Sequence, residues 1–351
     1  MATIRKRGPY QWEAQIRRKG FPHQQKTFNT KNEASAWASM IESEMSRGIW
    51  VSRSEAEETT LLEALVRYGK EITPTKKSVI TETSSLRILA NEELATRTMA
   101  SIRSSDIAHL RDAWLKEYKA ATVLRRLQLL SHVFNIARKE WGMESLANPV
   151  ELVRKPKPND SRSRRISTSQ QGTDELECII KATGSTLLPS ILHLAVETAM
   201  RRSEIVNLRW ENIDLERRVA HLPATKNGSP RDVPLSTKAT EVLQALRDAC
   251  GGDTSTGRVF HLREDAVTRA FERAVSRARG KYVQECKEAS IRPDEKFLAD
   301  LRFHDLRHEA TSRLAQTFQL AELTKVTGHK DPRMLMRYYH PRAEDLAKRL
   351  A

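Results

Sequence analysis

The sequence predicts a mainly α-helical protein with small β elements, and three observations support this. Apolar residues recur at helical spacing in the segment after residue 30 and again between Thr59 and Asn148. Two short regions have strand patterns, one near the N-terminus and one around the pair Asn227 and Gly228. A basic, proline-containing stretch without apolar residues separates two helical regions, as inter-domain linkers do. We therefore expect three domains joined in part by a linker.

Composition limits the class of protein. The 351 residues allow two or three domains, and 30% charged with 39% hydrophobic residues are typical of a soluble chain. There is no run of about eighteen apolar residues, so we expect no membrane span. The basic start of the chain lacks the apolar core of a secretion signal. Three widely spaced cysteines predict a reducing cytoplasm and neither a disulfide framework nor a zinc site.

The formal net charge of +15 predicts a polyanionic partner. Lysine and arginine side chains bind phosphates and release their counterions, so nucleic acid is favoured. Charge alone leaves a merely basic soluble protein as the alternative.

Residues 1–55 predict a small sheet covered by one helix. Polar and apolar residues alternate from Tyr10 to Arg17, a turn follows at Gly20, and a second strand is expected from His23 to Phe28. Thr30 and Glu33 have the spacing of a capping box. The helix after them has one apolar face, formed by Ala34, Trp37, Ala38, Ile41 and Met45. The basic residues of this domain could lie against DNA or be solvated, and the DNA candidates among them are Arg5, Lys6, Arg17 and Arg18.

Residues 56–153 predict a domain of four helices, because apolar residues recur at helical spacing through the segment. Ser104 or Ser105 is expected to cap one helix. Arg125 and Arg126 are predicted to lie on a basic, DNA-binding face with Arg138 and Lys139.

The stretch RKPKPNDSRSRR lies within the predicted linker, residues 154–168. Basic linkers are often only solubilising. Because this one joins two basic domains, we predict that it follows a DNA backbone, with contacts from Arg162, Arg164 and Arg165.

Residues 169–351 predict a mostly helical domain with one β-hairpin, since Asn227 and Gly228 lie between two short extended runs. Four segments of this domain carry reactive side chains. They are residues 197–204 (ETAMRRSE), residues 225–228 with 231–235 (TKNG and RDVPL), residues 303–308 (FHDLRH), and residues 327–329 with 336–340 (TGH and MRYYH).

Two arginines, a lysine, histidines and a tyrosine suit the cleavage of a phosphodiester. Charge grows on the non-bridging oxygens in the transition state, and the planar arginine fork meets two oxygens at once. A nucleophile must stand opposite the leaving oxygen, which needs a proton. These segments supply every part of that set.

Together the four segments resemble the tyrosine recombinases, the phage integrase family. The resemblance covers residues 169–351 strongly. The helical region before them looks like the core-binding domain of that family, and the N-terminal sheet looks like the arm-type DNA-binding domain of some integrases. The expected fold is therefore an arm-type domain, a helical core-binding domain and a mixed catalytic domain.

The resemblance also implies roles for individual residues. Arg201 and Arg307 match the arginines that clamp the scissile phosphate, and Glu204 matches an acidic residue that supports the site. Lys226 matches a lysine that protonates the departing 5′ oxygen, and His304 and His329 match the two histidines. Tyr338 matches the nucleophile because it lies two residues before His340. The adjacent Tyr339 is the rival, since a shift of one residue turns a helical side chain by about 100°.

Two positions depart from the family pattern. Ala199 stands where glycine is common, and Thr327 stands where leucine is common. We expect neither to touch a reacting group.

A metal site is a weaker interpretation of the same segment. His304 and His308 are four residues apart, as in zinc-binding helices. Such a site needs a third ligand and a glutamate base, but Asp305 follows the first histidine and Arg307 lies between the two. We predict no metal and no other cofactor.

We therefore expect a site-specific recombinase that acts on double-stranded DNA, at core and arm sites, and that assembles as a tetramer with accessory factors. The resemblance implies a 3′-phosphotyrosyl intermediate that needs neither ATP nor metal. A type IB topoisomerase and a non-catalytic DNA-binding protein are the alternatives.

Overall fold

The computed structural model describes residues 2–48, 50, 54–158, 162, 164–169, 172–223, 229–250 and 256–338. The chain divides into two compact units, Met1–Ser161 and Arg162–Ala351. Both are mainly helical, and each carries one three-stranded antiparallel sheet, as the predicted fold class requires. Among the described helices, none has the length and apolar character to cross a membrane.

The first unit begins with a sheet of order β1-β2-β3, formed by β1 (Thr3–Gly8), β2 (Gln11–Ile16) and β3 (Gln24–Phe28). The strands β2 and β3 were predicted, whereas β1 was not. Its sequence TIRKRG is charged on both faces, so it lacks the alternation that marks a half-buried strand. Pairing with β2, from Thr3 opposite Gln15 to Gly8 opposite Gln11, makes it a strand.

The polar face of β2 is buried, which the alternation did not predict. Glu13 is only 3% exposed and Gln15 only 8%. Arginines from β1 cover them: Arg7 Nε donates to Glu13 Oε2 at 2.9 Å, and Arg5 Nη2 donates to Gln15 Oε1 at 2.8 Å. The long arginine stems shield these polar groups from water.

Helix α1 (Lys31–Ser46) covers the other face of this sheet. The predicted capping box is present, since Thr30 Oγ1 accepts the Glu33 backbone N–H and the Glu33 carboxylate accepts that of Thr30, both at 3.2 Å. The apolar face of α1 packs against Ala14 and Ile16 of β2. Its buried residues are Ala34, Ala38, Ile41 and Met45.

The rest of the first unit is a helical bundle. It consists of α2 (Ser54–Glu58), α3 (Leu61–Glu71), α4 (Val79–Ala90), α5 (Ser104–Glu117) and α6 (Ala120–Glu140). Four of these helices are longer than ten residues, which is the number of helices predicted for this segment, and the apolar positions that support the prediction fall on α3, α5 and α6. Neither Ser104 nor Ser105 caps α5; the N-cap is Arg103, whose backbone N–H donates to the Asp106 carboxylate at 2.8 Å.

The second unit has eight α-helices and a sheet of order β4-β5-β6 within the described ranges. The strands are β4 (Ile213–Asp214), β5 (Val219–Leu222) and β6 (Arg231–Pro234), and the last two are the predicted hairpin strands. The turn between them, residues 224–228, lies outside the described residues. The helices are α7 (Glu175–Ala182), α8 (Leu188–Thr198), α9 (Arg202–Val206), α10 (Thr237–Ala249), α11 (Glu264–Glu288), α12 (Phe303–Thr317), α13 (Leu320–Thr327) and α14 (Arg333–Met336).

Helix α8 forms the centre of this unit because seven of its eleven residues are buried, and six of those seven are apolar. It packs against α10 on one side and α12 on another. The residues after its C-terminus are thereby placed beside the second turn of α12, where Arg307 lies. The predicted site residues come from these helix ends.

Candidate active site

The first part of the site is the sharp turn between α8 and α9. Ala199 has a left-handed backbone (φ 52°, ψ 21°), which explains why glycine suits this position. Arg201 follows as the N-cap of α9, and its backbone N–H donates to Glu204 Oε2 at 2.8 Å. Arg201 Nη1 also donates to Glu204 Oε1 at 2.8 Å. The turn and the carboxylate together fix the direction of the Arg201 side chain.

Glu204 is a buried junction of three chain segments. Arg231 of β6 donates to both of its oxygens, at 3.0 and 2.6 Å, and Arg231 Nε donates to the backbone oxygen of Val326 in α13 at 2.9 Å. Burial would raise the pKa of Glu204, but the hydrogen bonds from Arg231 and Arg201 outweigh it and lower the pKa to about 2. The supporting role predicted for Glu204 thus has a structural basis. The sequence placed Arg231 in one of the four segments but predicted no role for it.

Arg307 is a buried guanidinium held by backbone carbonyls. It is 5% exposed; Nη1 donates to the oxygen of Ala199 and Nη2 to that of Thr327, the latter at 2.6 Å. Burial and the like charge of Arg201 lower the pKa of Arg307 to about 9, so it is still protonated at neutral pH. Glu204 is the carboxylate that this group of arginines shares. The excess positive charge in a place of low exposure favours a bound anion.

His329 is positioned by the end of α13. Gly328 has a φ of 67°, and a Cβ there would lie 2.9 Å from Arg231 Nη1, so glycine is required twice over. Thr327 Oγ1 donates to the backbone oxygen of Leu323 at 2.6 Å and lies 2.7 Å from His329 Nδ1. The hydroxyl has one hydrogen, so it accepts from Nδ1–H and leaves Nε2 as the acceptor of a neutral ring.

The ring of His329 is neutral at neutral pH. Burial and the positive charges of Arg307 and Arg201 lower its pKa to about 4. The expectation that neither Ala199 nor Thr327 touches a reacting group is therefore wrong. The backbone carbonyls of both accept hydrogen bonds from Arg307, and the Thr327 hydroxyl also contacts the predicted site histidine His329.

The replacement Thr327→Val should release this histidine with little change of volume. We expect a loss of about 1 kcal/mol in unfolding free energy and a shift of the His329 ring from the Nδ1–H form to a mixture of tautomers. Urea unfolding and ring ¹⁵N chemical shifts measure the two effects. Thr327→Ser keeps the hydroxyl and serves as control; a valine variant that retains the wild-type ¹⁵N pattern contradicts the assignment.

His308 contacts both His304 and Tyr338. His304 is exposed and lines a groove of about 760 Å³ with Arg201 and Glu204. The rings of His304 and His308 lie edge to face with centroids 5.0 Å apart. His308 Nδ1 is hydrogen-bonded to the Tyr338 hydroxyl. His308 had been considered only as half of a zinc pattern, although its spacing from His304 places both on one helix face.

The described residues contain no group of three or more His, Cys, Asp or Glu side chains suited to a metal ion. Three predicted or rival positions lie outside the described residues: Lys226, Tyr339 and His340.

Several predicted DNA contacts are engaged elsewhere. Arg126 is 5% exposed and stacks on the rings of Tyr118 and Trp114, at 3.9 and 5.3 Å, so it supports the helical bundle rather than a basic face. Arg125 beside it is exposed, as are the N-terminal candidates Arg5, Lys6, Arg17 and Arg18.

The basic stretch before α7 docks onto its own unit. Arg162 donates to the Asp305 carboxylate at 2.6 and 2.7 Å, and these bonds raise its pKa. Arg164 pairs with Glu175 and Arg165 with Glu309. These three arginines are paired with carboxylates in the protein without DNA, and their contact with a DNA backbone stays a prediction. Sequence spacing did not indicate two of these pairs, because Asp305 and Glu309 are more than 140 residues from their arginines.

The geometry is suited to one kind of chemistry. Two arginines with a charge excess can hold an anion, a phenol can attack it, and neutral histidines beside them can exchange protons. Among the described site residues, Thr327 links Arg307 to His329, His308 links His304 to Tyr338, and Glu204 holds Arg201.

Known proteins are similar to this chain in sequence and in fold. The phage integrase family model matches residues 172–345. A shufflon-specific DNA recombinase of Escherichia coli is 38% identical over 301 residues, which cover 83% of this chain and 71% of that protein. A lambda integrase dimer bound to a COC′ core site has the same fold, with a TM-score of 0.61, 22% identity, and coverage of 97% of this chain and 95% of that one. A lambda integrase tetramer bound to a Holliday junction gives a TM-score of 0.59 at 20% identity, with coverage of 94% and 96%. The chain therefore belongs to the phage integrase family, the tyrosine recombinases.

Proposed function

We propose that this tyrosine recombinase cuts and rejoins double-stranded DNA at specific sites through a 3′-phosphotyrosyl link to Tyr338. The observation that carries the proposal is the Tyr338 hydroxyl, half-buried and hydrogen-bonded to a histidine in the domain that holds Arg201 and Arg307. A phenol in that setting has an anion site and a proton acceptor at hand.

The steps follow from the charges of the site. Arg201 and Arg307 hold the non-bridging oxygens of the scissile phosphate, with His304 and His329 as further hydrogen-bonding groups. Tyr338 attacks the phosphorus, and Lys226 gives a proton to the departing 5′ oxygen. A second 5′ hydroxyl, from a partner duplex, reverses the step. The bond energy is kept in the phosphotyrosine, so we propose that the reaction needs neither ATP nor a divalent metal.

The proposed assembly is a tetramer on two DNA sites, since the structure of similar fold on a Holliday junction is a tetramer. Residues 1–55 would bind arm sites and residues 56–153 core sites. Exposed basic residues support both assignments, namely Arg5, Lys6, Arg17, Arg18 and Arg125. We also propose that the protein works in the cytoplasm, with accessory factors that bend DNA or set direction.

Trapping on genomic DNA tests this function. The purified protein is incubated with sheared DNA of the organism that carries its gene, in the presence of a metal chelator and without ATP. Detergent-stable protein–DNA adducts are isolated, and the attached DNA is sequenced. We expect adducts at one or a few sequences, and a plasmid with two copies of such a sequence should recombine.

Two outcomes would favour the alternative functions over the recombinase. Relaxation of supercoiled plasmids that lack the trapped sequence would indicate a type IB topoisomerase. DNA binding without any adduct would indicate a non-catalytic DNA-binding protein, and loss of adducts on chelation would contradict the proposed mechanism.

A further inference from the structure

The side chain that meets the Tyr338 hydroxyl is the imidazole of His308, the residue after Arg307 on α12. The hydroxyl is hydrogen-bonded to His308 Nδ1, and the two ring centroids are 5.8 Å apart with planes inclined by 31°. The contact joins α12 to the residues that follow α14. It therefore places a titratable ring directly on the atom that would attack phosphorus.

The partners of Nδ1 define the tautomer of this ring. Arg337 Nη2 lies 3.5 Å from the same nitrogen, and a guanidinium can only donate. The phenolic hydroxyl is the second group directed at Nδ1. A nitrogen that faces a cationic donor carries a lone pair, so the proton of the neutral ring is on Nε2 and the Tyr338 hydroxyl donates to Nδ1.

The surroundings also keep the ring neutral. Burial is the largest cause that lowers the pKa of His308, and the neighbouring positive charges add to it, giving a value of about 4. The ionisable groups that act on it are His304, Arg337, Asp305 and Arg307, and only the aspartate opposes the shift.

Tyr338 needs a proton acceptor at neutral pH. Burial raises the pKa of its phenol, and the charges of Arg337 and Arg307 only partly offset this. The hydroxyl is therefore protonated before it attacks. His329 is turned by its own bond to Thr327, and His304 faces the groove beside Arg201.

We propose that His308 is a catalytic residue that accepts the Tyr338 proton during DNA cleavage. As the phenolic oxygen forms its bond to phosphorus, its proton passes to His308 Nδ1, and the bond from phosphorus to the 5′ oxygen breaks. That oxygen leaves with the electron pair of the broken bond and takes a proton from Lys226. In the rejoining step the His308 imidazolium returns its proton to the departing tyrosine oxygen. This inference rests on the proposed function.

The variant His308→Gln tests the step on the trapped DNA site. Glutamine Oε1 still accepts a hydrogen bond but takes no proton at neutral pH. We expect single-turnover cleavage to slow by about 10²- to 10⁴-fold, with DNA binding and thermal unfolding close to wild type. His308→Asn is the second variant, should the glutamine disturb the fold. Cleavage within about threefold of wild type in a folded variant would overturn the proposal.

A sulfur-substituted DNA separates a proton acceptor from a proton donor. When sulfur replaces the departing 5′ oxygen, the leaving group needs no proton. We expect Lys226→Ala to regain most of its cleavage rate on this DNA and His308→Gln to stay slow. Recovery of His308→Gln would make His308 a donor and would overturn the assignment.

Two further measurements complete the test: the pH dependence of the cleavage rate and the tautomer of the His308 ring in the wild-type protein. Wild-type cleavage should fall as the pH is lowered through the pKa of His308. Because His329 has a similar pKa, His308→Gln should show a smaller fall over this range rather than none. An unchanged pH profile would make His308 a positioning residue and overturn the proposal. In the wild-type protein without DNA, ring ¹⁵N shifts should show the Nε2–H form; an Nδ1–H ring would also overturn it. If wild-type protein forms no adduct at all, the proposed function fails, and the ¹⁵N result still stands on its own.

Discussion

Replacing Tyr338 with phenylalanine should abolish the covalent protein–DNA adduct and leave DNA affinity within about twofold. The change removes one oxygen and keeps the ring, which lies 4.8 Å from Arg337 Cζ. Loss of a catalytic nucleophile lowers turnover by as much as about 10⁶-fold in a well-studied protease, so no adduct should be detected. Denaturing gels with labelled DNA measure the adduct, and gel shifts measure the affinity.

Tyr339→Phe is the matched control because the same atom is removed one residue away. We expect this variant to form the adduct. An adduct that persists in Tyr338→Phe and disappears in Tyr339→Phe would assign the nucleophile to Tyr339. Mass spectrometry of the nucleotide-bearing peptide gives the same answer from the wild-type protein.

Replacing Glu204 with alanine should destabilise the protein by about 3–5 kcal/mol. The carboxylate is 6% exposed and is bonded to both Arg201 and Arg231, so its removal leaves charged groups without their partner at low exposure. Because Arg231 also holds α13, we expect the residues around His329 to loosen first. Urea unfolding measures the free energy, and hydrogen exchange locates the loosening.

Glu241→Ala is the control for that measurement. Its carboxylate is 60% exposed and lies 3.3 Å from Lys238 on the same helix, so the loss should stay below about 0.5 kcal/mol. A Glu204 variant no less stable than this control would show that the junction contributes nothing to the fold.

The contribution of Glu204 should depend on pH with a definite sign. Its folded-state pKa is about 2, below the ordinary value for an unfolded chain of about 4.3. The stabilisation is thus fully present above the unfolded value and is lost as the pH falls toward 2. The stability difference between wild type and Glu204→Gln should shrink by up to about 1.4 kcal/mol per pH unit across this window. A difference that stays constant there would contradict the lowered pKa.

Much of the fold could be predicted because each element carries its own local signal. The apolar stripe of α1 and the capping box at Thr30 predicted that helix, and the strand patterns predicted β2, β3, β5 and β6. Strand β1 was not predicted because its charged side chains gain their partners only on pairing with β2. The burial of Glu13 was not predicted for the same reason.

The residues of the candidate site likewise fall into those that local sequence predicted and those that only tertiary contacts revealed. Arg201, His304, Arg307, His329 and Tyr338 were predicted from short segments in which neighbouring residues identify each position. Arg231 and His308 gain their roles from contacts across 27 and 30 residues, which no local pattern records. The ion pairs of the basic stretch were not predicted, because two of its three arginines have carboxylate partners far along the chain, such as Asp305, which is 143 residues from Arg162.

The sequence by itself determined the fold class and the family, since periodicity, capping and short motifs depend on neighbours in the chain. Tertiary structure decided which charged side chains are exposed to a ligand and which side chains share a proton in a hydrogen bond. Those properties depend on burial and on partners brought from distant segments, as when Arg126 is enclosed by Tyr118 and Trp114. They also depend on which nitrogen of a histidine faces a donor, and for His308 this is the nitrogen beside Tyr338.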